Sequence, residues 1–170
     1  MRGHYKQHTI TQDLADFLAT QTHFYMATAD KSGQPYIQHR GGPAGFLRVL
    51  GPKQLGFADF TGNRQYISRD NLGENNKVAL FLIDYPTRQR IKIMGTAQMR
   101  DDDSELTRKL ADPNYRAPLE RAVIIDVAQW DVNCPSHITP RYDAATVKTM
   151  TDKLQNRISE LEAELAALKG

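Results

Sequence analysis

The sequence predicts a mainly β domain, an antiparallel barrel or sandwich of six or so strands with a few helices, followed by a separate C-terminal helix. Three features predict it. Strand-like runs follow one another through Gly- and Pro-rich links too short for crossover helices. Several of those runs alternate apolar with polar residues, the period of a sheet with one buried face. Residues 147–168 instead place apolar side chains at heptad spacing, which belongs to a helix.

The elements follow in order. Thr9 and Gln12 have capping-box spacing, and Leu14, Phe17 and Leu18 recur as on one helix face, predicting a helix over 10–20. "FYMATA" (24–29), the turn "DKSGQP" and "YIQHR" make a hairpin. "GGPAG" (41–45) breaks the chain, "FLRVL" resumes it, "GPKQ" (51–54) turns it and "LGFADF" is the next strand. In "NRQYISRDNL", Tyr66, Ile67 and Leu72 share a face of a short helix ending near Gly73. "KVALFLIDY" is almost continuously apolar, as a central strand covered on both faces would be. "RIKIMGTAQM" alternates, and its Gly95 suggests a bulge or a close backbone approach. A helix over 103–111 stops before "DPNY", and "RAVIIDVAQW" is the last strand.

These patterns divide the chain into a barrel domain, 1–142, and a helix, 143–170. Leu154, Leu161 and Leu168 fall at d, with Val147 before them, while Thr151, Ile158 and Leu165 fall at a; Arg157 (g) and Glu162 (e) have interchain ion-pair spacing. The helix could pair with another copy or lie on its own domain. At 170 residues and 40% hydrophobic, the chain suits one core of ordinary size. A net charge of +2 without a basic block gives no reason to expect nucleic acid. The lone Cys134 can form neither an internal disulfide nor a zinc cluster, and no run approaches membrane-spanning length, so a cytoplasmic protein is expected.

Four stretches could carry chemistry. Asn63, Arg64 and Gln65 precede a helix, whose unpaired N–H groups and dipole favour an anion such as a phosphate; a capped helix with an exposed arginine is the alternative. In "QPYIQHRGG", Gln38 and Arg40 share one side of a strand and His39 takes the other. Arg88, Gln89 and Arg90 gather at a strand entrance with donors suited to a planar heterocycle, or form only a charged turn. "WDVNCPSHITPRY" brings Trp130, Asn133, Cys134 and His137 into one Pro-punctuated stretch. Trp130 suits an aromatic ligand or a subunit interface, whereas a Cys134–His137 hydrolase lacks an evident oxyanion hole. No metal site is expected.

In order along the chain, "ATADKSGQPY", "GFADFTGNRQ", "NNKVALFLID" and "RQRIKIMGTA" resemble the FMN-binding split-barrel family typified by pyridoxamine 5'-phosphate oxidase. "DFTGNRQ" and "WDVNCPSHITPRY" are most similar to its branch of flavin-nucleotide-binding proteins. The resemblance spans roughly residues 20–130 and implies a six-stranded antiparallel split barrel, paired as a homodimer with FMN at the subunit interface.

By position, the resemblance carries phosphate binding onto Asn63, Arg64 and Gln65, with Gln65 where the family has lysine. It sets Ala58 and Asp59 beside the flavin and Gln38, His39, Arg40 and Gly41 on the strand beneath it, with Gln38 in place of an arginine. Arg90, or Gln89 one residue away, takes the ring-contacting position beside Arg88, and Trp130, Asn133 and His137 come from the region through which a partner completes the site. The oxidase's substrate-phosphate signature has no counterpart in "DDDSELTRKLADPNYRAPLERA", and its C-terminal Trp-Arg and Arg-Leu motif is missing. The implied function is therefore an FMN-dependent oxidoreductase passing hydride or electrons between a small-molecule donor and an organic acceptor or dioxygen, and not pyridoxamine phosphate oxidation. A non-catalytic flavin carrier or sensor is the alternative, and related barrels hold deazaflavin or haem instead.

Overall fold

The computed structural model describes residues 6–62, 64–133 and 135–169, without the side chain of Asn133. Asn63, Cys134 and the side chain of Asn133 therefore lie outside the described residues. Internal contacts divide the chain into two units, Met1–Asp84 with Gln89–Pro135, and Tyr85–Arg88 with Ser136–Gly170.

In the first unit α1 (Gln12–Thr20) precedes the hairpin β1 (His23–Ala29) and β2 (Pro35–Gly41), then β3 (Arg48–Gly51) and β4 (Gln54–Phe60). There follow α2 (Ile67–Glu74), β5 (Lys77–Asp84), β6 (Gln89–Arg100), α3 (Ser104–Leu110) and β7 (Leu119–Asn133). The strands form one antiparallel sheet in the order β2-β1-β5-β6-β7-β4-β3, seven strands where six are expected. In the second unit α4 (Ala144–Lys169) runs 26 residues.

Alternation puts Phe24, Met26 and Thr28 of β1 inside, and the buried side chains of β4, β5, β6 and β7 complete the core. The sheet rolls up because these faces must meet: Phe24 of β1 packs edge-on against Phe57 of β4 with ring centroids 5.3 Å apart, and Phe46 stacks on Phe24. The rolled sheet has a slit, since β2 and β4 meet without a backbone ladder. β3 is short and pairs only with Gln54–Gly56, so β4 beyond Gly56 pairs with β7 alone.

Three local expectations change. Thr11, not Thr9, caps α1, its hydroxyl accepting from the Leu14 N–H at 3.3 Å, while the Thr9 carbonyl accepts from the Trp130 indole. β5 is central but not fully covered on both faces: Val78, Leu80 and Leu82 are buried on one, while on the other Ile83 is buried and Ala79 and Phe81 are half-exposed. Gly95 is both bulge and close approach: the β6–β7 register shifts between Met94 and Gly95, and a Cβ there would collide with the Asp126 carbonyl oxygen.

Candidate functional site

The slit between β2 and β4 opens into a cleft of about 310 Å³, lined by β2 from Gln38 to Gly41 and by the unshared end of β4. A smaller polar lobe continues from it toward α2, adding Arg64, Gln65, Tyr66, Glu120 and Arg121. The volume falls at the lower end of the range usual for small-molecule sites.

Strand parity decides what β2 offers. Gln38 and Arg40 are half-buried toward β4, where Gln38 accepts from the Ser68 hydroxyl at 2.9 Å and Arg40 pairs with Asp59 at 2.6 Å. His39 is exposed on the other face, its ring stacked on His23 at 5.6 Å. Burial and the charge of His39 push the His23 imidazole below its ordinary value. Ala58 is buried against α3 and β7 and, with Asp59, borders the cleft.

The loop from β4 to α2 carries the arginine. Arg64 is exposed and holds φ at +57°, the left-handed region that L side chains rarely adopt. Tyr66 occupies the N-cap of α2, and its side chain makes no cap hydrogen bond. Its hydroxyl donates to Glu120 instead, and the Arg121 guanidinium lies 5.2 Å from the centre of its ring.

Arg121, nearly fully buried, ties these groups together. It pairs with Asp101 at 2.8 Å and with Glu120, and its Nε stands 4.0 Å from Asp59. Burial raises the Asp59 carboxyl above its ordinary value; the Arg40 and Arg121 charges oppose this and Glu120 adds to it. Burial also pushes Glu120 upward, but hydrogen bonds from Tyr66 and Arg121 and the charges of Arg121 and Arg64 outweigh it, leaving that carboxyl low. The cleft is thus a polar wall of arginines and carboxylates with Gln38 at its lip.

Sequence reasoning anticipated Gln38, His39, Arg40, Gly41, Ala58, Asp59, Arg64 and Gln65, which border this cleft or its lobe, and it missed Tyr66, Ser68, Glu120 and Arg121. The one signal for the last two was a charged pair at the start of an otherwise apolar strand, "LERAVIID". The second group of expected residues lies elsewhere in the chain. Gln89 and Arg90 begin β6, opposite Asp84 and Ile83, whereas the β6 residue that lines the cleft's lobe is Met99 near its far end, ten residues and about 33 Å of strand from Gln89. Arg88 and His137 belong to the second unit and also hold positive φ, at +58° and +63°.

Trp130, expected beside an aromatic ligand or a subunit interface, is a core residue within this chain. It is 3% exposed, its indole N–H donates to the Thr9 carbonyl at 2.8 Å, and its backbone pairs with Gln7. The segment before α1 covers it.

The cleft and rolled sheet are matched by known proteins. The pyridoxamine 5'-phosphate oxidase pattern fits residues 10–134. Among solved structures, HupZ of Group A Streptococcus is 23% identical, with a TM-score of 0.58 over 78% of this chain and 99% of that one. A Lactobacillus delbrueckii protein provisionally described as a pyridoxamine 5'-phosphate oxidase is 24% identical over 72% and 93%, with a TM-score of 0.54. An FMN-binding protein from Syntrophomonas wolfei is 15% identical over 71% and 84%, also at 0.54. No curated protein matches. With most of the barrel inside the fitted region, and the same split-barrel fold in these structures, the chain belongs to the pyridoxamine 5'-phosphate oxidase family.

Proposed function

We propose that this protein binds FMN non-covalently in the cleft along the slit and uses it as a redox cofactor, accepting hydride or electrons from a small-molecule donor and delivering them to an organic acceptor or dioxygen. The observation that carries the reading is the loop before α2: Arg64, held at positive φ, beside a helix start whose N-cap residue, Tyr66, makes no side-chain cap hydrogen bond. A phosphate is the group such a place suits.

The remaining residues fit the group. The Arg40 Nε is buried without a hydrogen-bond partner, and β4 beyond Gly56 is paired on one edge only. Arg64, Gln65 and the N–H groups of α2 would hold the phosphate, with Asn63 beside them; Gln38, Arg40, Ala58 and Asp59 would border the rest. When bound, FMN supplies hydride and single-electron transfer. The chain's part is to bind and orient it, with Arg40 fixed by Asp59 and Gln38 by Ser68. The distance along β6 between the cleft and Gln89 and Arg90 favours a homodimer in which those residues, with Arg88, Asn133 and His137, serve a site shared with a partner subunit.

Native mass spectrometry of the purified protein tests the cofactor directly, FMN being the expected mass; a deazaflavin or haem would replace it in this reading. Arg64→Ala is expected to weaken FMN binding by about 1.5–3 kcal/mol, roughly tenfold to a hundredfold in Kd by fluorescence titration. Unchanged affinity would refute the phosphate role.

A second reading, a flavin carrier or sensor without turnover, is favoured by one feature. Where the oxidase carries its substrate-phosphate signature, this chain has α3 and its acidic approach, Asp101–Asp103. Stopped-flow reduction by NADH or NADPH separates the two, since repeated reduction and reoxidation excludes the carrier.

A further inference from the structure

We infer that α4 is an association element that pairs with α4 of a second copy of this chain as a parallel, in-register, two-stranded coiled coil. None of its residues is buried, and its large apolar side chains are all exposed, Leu154 at 67%, Ile158 at 54% and Leu168 at 84%. A helix bearing such a stripe is held in water mainly by covering it. The ion pairs along its surface, Lys148–Asp152 and Arg157–Glu160, are exposed ones of the kind that contribute little.

The pattern of the stripe identifies what covers it. A helix that packs on its own domain presents a broad face, as α1 does with Leu14, Phe17 and Leu18 buried together. Of the large apolar side chains of α4, all but Met150 lie on the narrow seam of a and d positions, and the 3.5-residue register runs from Val147 to Leu168. Ile158 at a with Leu154, Leu161 and Leu168 at d matches the combination that favours two parallel strands, alongside Thr151 and Leu165 at the other a positions.

Charge then fixes partner and direction. In a parallel pair each g residue faces the e residue five places on in the other helix. That sets Arg157 against the second copy's Glu162 and Glu164 against its Lys169, both attractive, with the neutral Met150 and Gln155 one heptad earlier. In an antiparallel pair g faces g and e faces e, and both matches are lost. A second copy of the same helix is self-complementary only in the parallel arrangement.

Disulfide trapping in the full-length chain tests this. In a Cys134→Ser background, Leu161→Cys places a thiol at d, opposite its own copy only if the helices are parallel and in register, whereas Asn156→Cys places one on the outer f position. Mild oxidation at micromolar concentration is expected to convert most Leu161→Cys chains to covalent dimer and to leave Asn156→Cys largely uncrosslinked. Equal, low yields at both positions would overturn the proposal, as would efficient cross-linking only between Ile158→Cys and Leu161→Cys chains, the antiparallel signature.

Charge reversal guards against a damaged seam. Arg157→Glu or Glu162→Arg in the Leu161→Cys background should each cut the cross-linking rate severalfold, and the two together should restore it. Reversals without effect, or no restoration, would also overturn it. Cross-linking at 161 reads α4 alone and flavin absorbance of the same samples reads the cleft, so the two proposals fail separately.

Discussion

Asp59 and Glu120 line the same cleft from adjoining strands, yet burial wins at Asp59 and hydrogen bonds win at Glu120. The consequence for stability has opposite signs. A carboxyl raised in the folded state contributes stability that is complete below the ordinary aspartate value and is lost as pH rises through the folded value; Glu120, lowered, loses its contribution as pH falls. Asp59→Asn is neutral at every pH and keeps the shape, so at pH 7 it is expected to unfold at the same urea concentration as the parent or a higher one. The difference should shrink as pH falls below about 4, where the parent's Asp59 is protonated as well. A loss of about 3–5 kcal/mol, the usual cost of removing one partner from a buried ion pair, would show instead that the Arg40 pairing outweighs burial. How far such residues are legible in a sequence depends on how local their causes are. Alternation alone put Gln38 and Arg40 on one side and His39 on the other. The role of Arg121 rests on the β4–β7 register, which sets it opposite Asp59, 62 positions earlier, and nothing near "LERA" encodes that pairing. Trp130 was legible as a large aromatic residue in need of a partner, but the cover supplied by the Gln7–Thr9 segment was not.

At the scale of elements, turn chemistry and alternation located every strand, and short-range glycine signals were informative because their causes are steric. Gly95 admits no side chain, since the atom a Cβ would strike is the carbonyl oxygen of Asp126 in the adjoining strand. Gly95→Ala is therefore expected to destabilise the protein by roughly 2–3 kcal/mol, at the upper end for single substitutions, read as a lower urea midpoint. Gly73 supplies the contrast: it lies in α2, and a Cβ there would meet nothing within 4 Å. Gly73→Ala should stabilise by about 0.5–1 kcal/mol through helix propensity alone. If both substitutions shift the midpoint equally, the bulge is not the cause. The elements misjudged from sequence failed for tertiary reasons. β5 is apolar throughout, which reads as burial on both faces, but its outer face is half-exposed in a single chain. β3, at four residues, makes the seventh strand of a sheet expected to have six, and its brevity is what leaves the slit open.

For the whole molecule, two separate surfaces bear on assembly, and they predict different behaviour on truncation. One is α4 with its uncovered seam. The other is the outer face of β1, β5 and β6, where Ala27, Ala79 and Met94 border a shallow, mostly apolar depression of about 600 Å³. Small side chains on this face allow close approach of another sheet. If both surfaces contribute, their effects on the monomer–dimer equilibrium combine as linked binding sites do, each raising the effective concentration at the other. Deleting residues 147–170 is then expected to raise the dimer dissociation constant, measured by sedimentation across a concentration series, without producing an obligate monomer. FMN uptake should persist wherever the truncated chain is still dimeric. Complete dissociation with full retention of flavin would mean that one barrel holds the cofactor unaided and that the residues at the start of β6 have no part in the site. An unchanged dissociation constant would mean that α4 adds nothing to assembly. The intermediate outcome alone is consistent with a cleft formed by one chain and completed by a second, with α4 adding to the pairing.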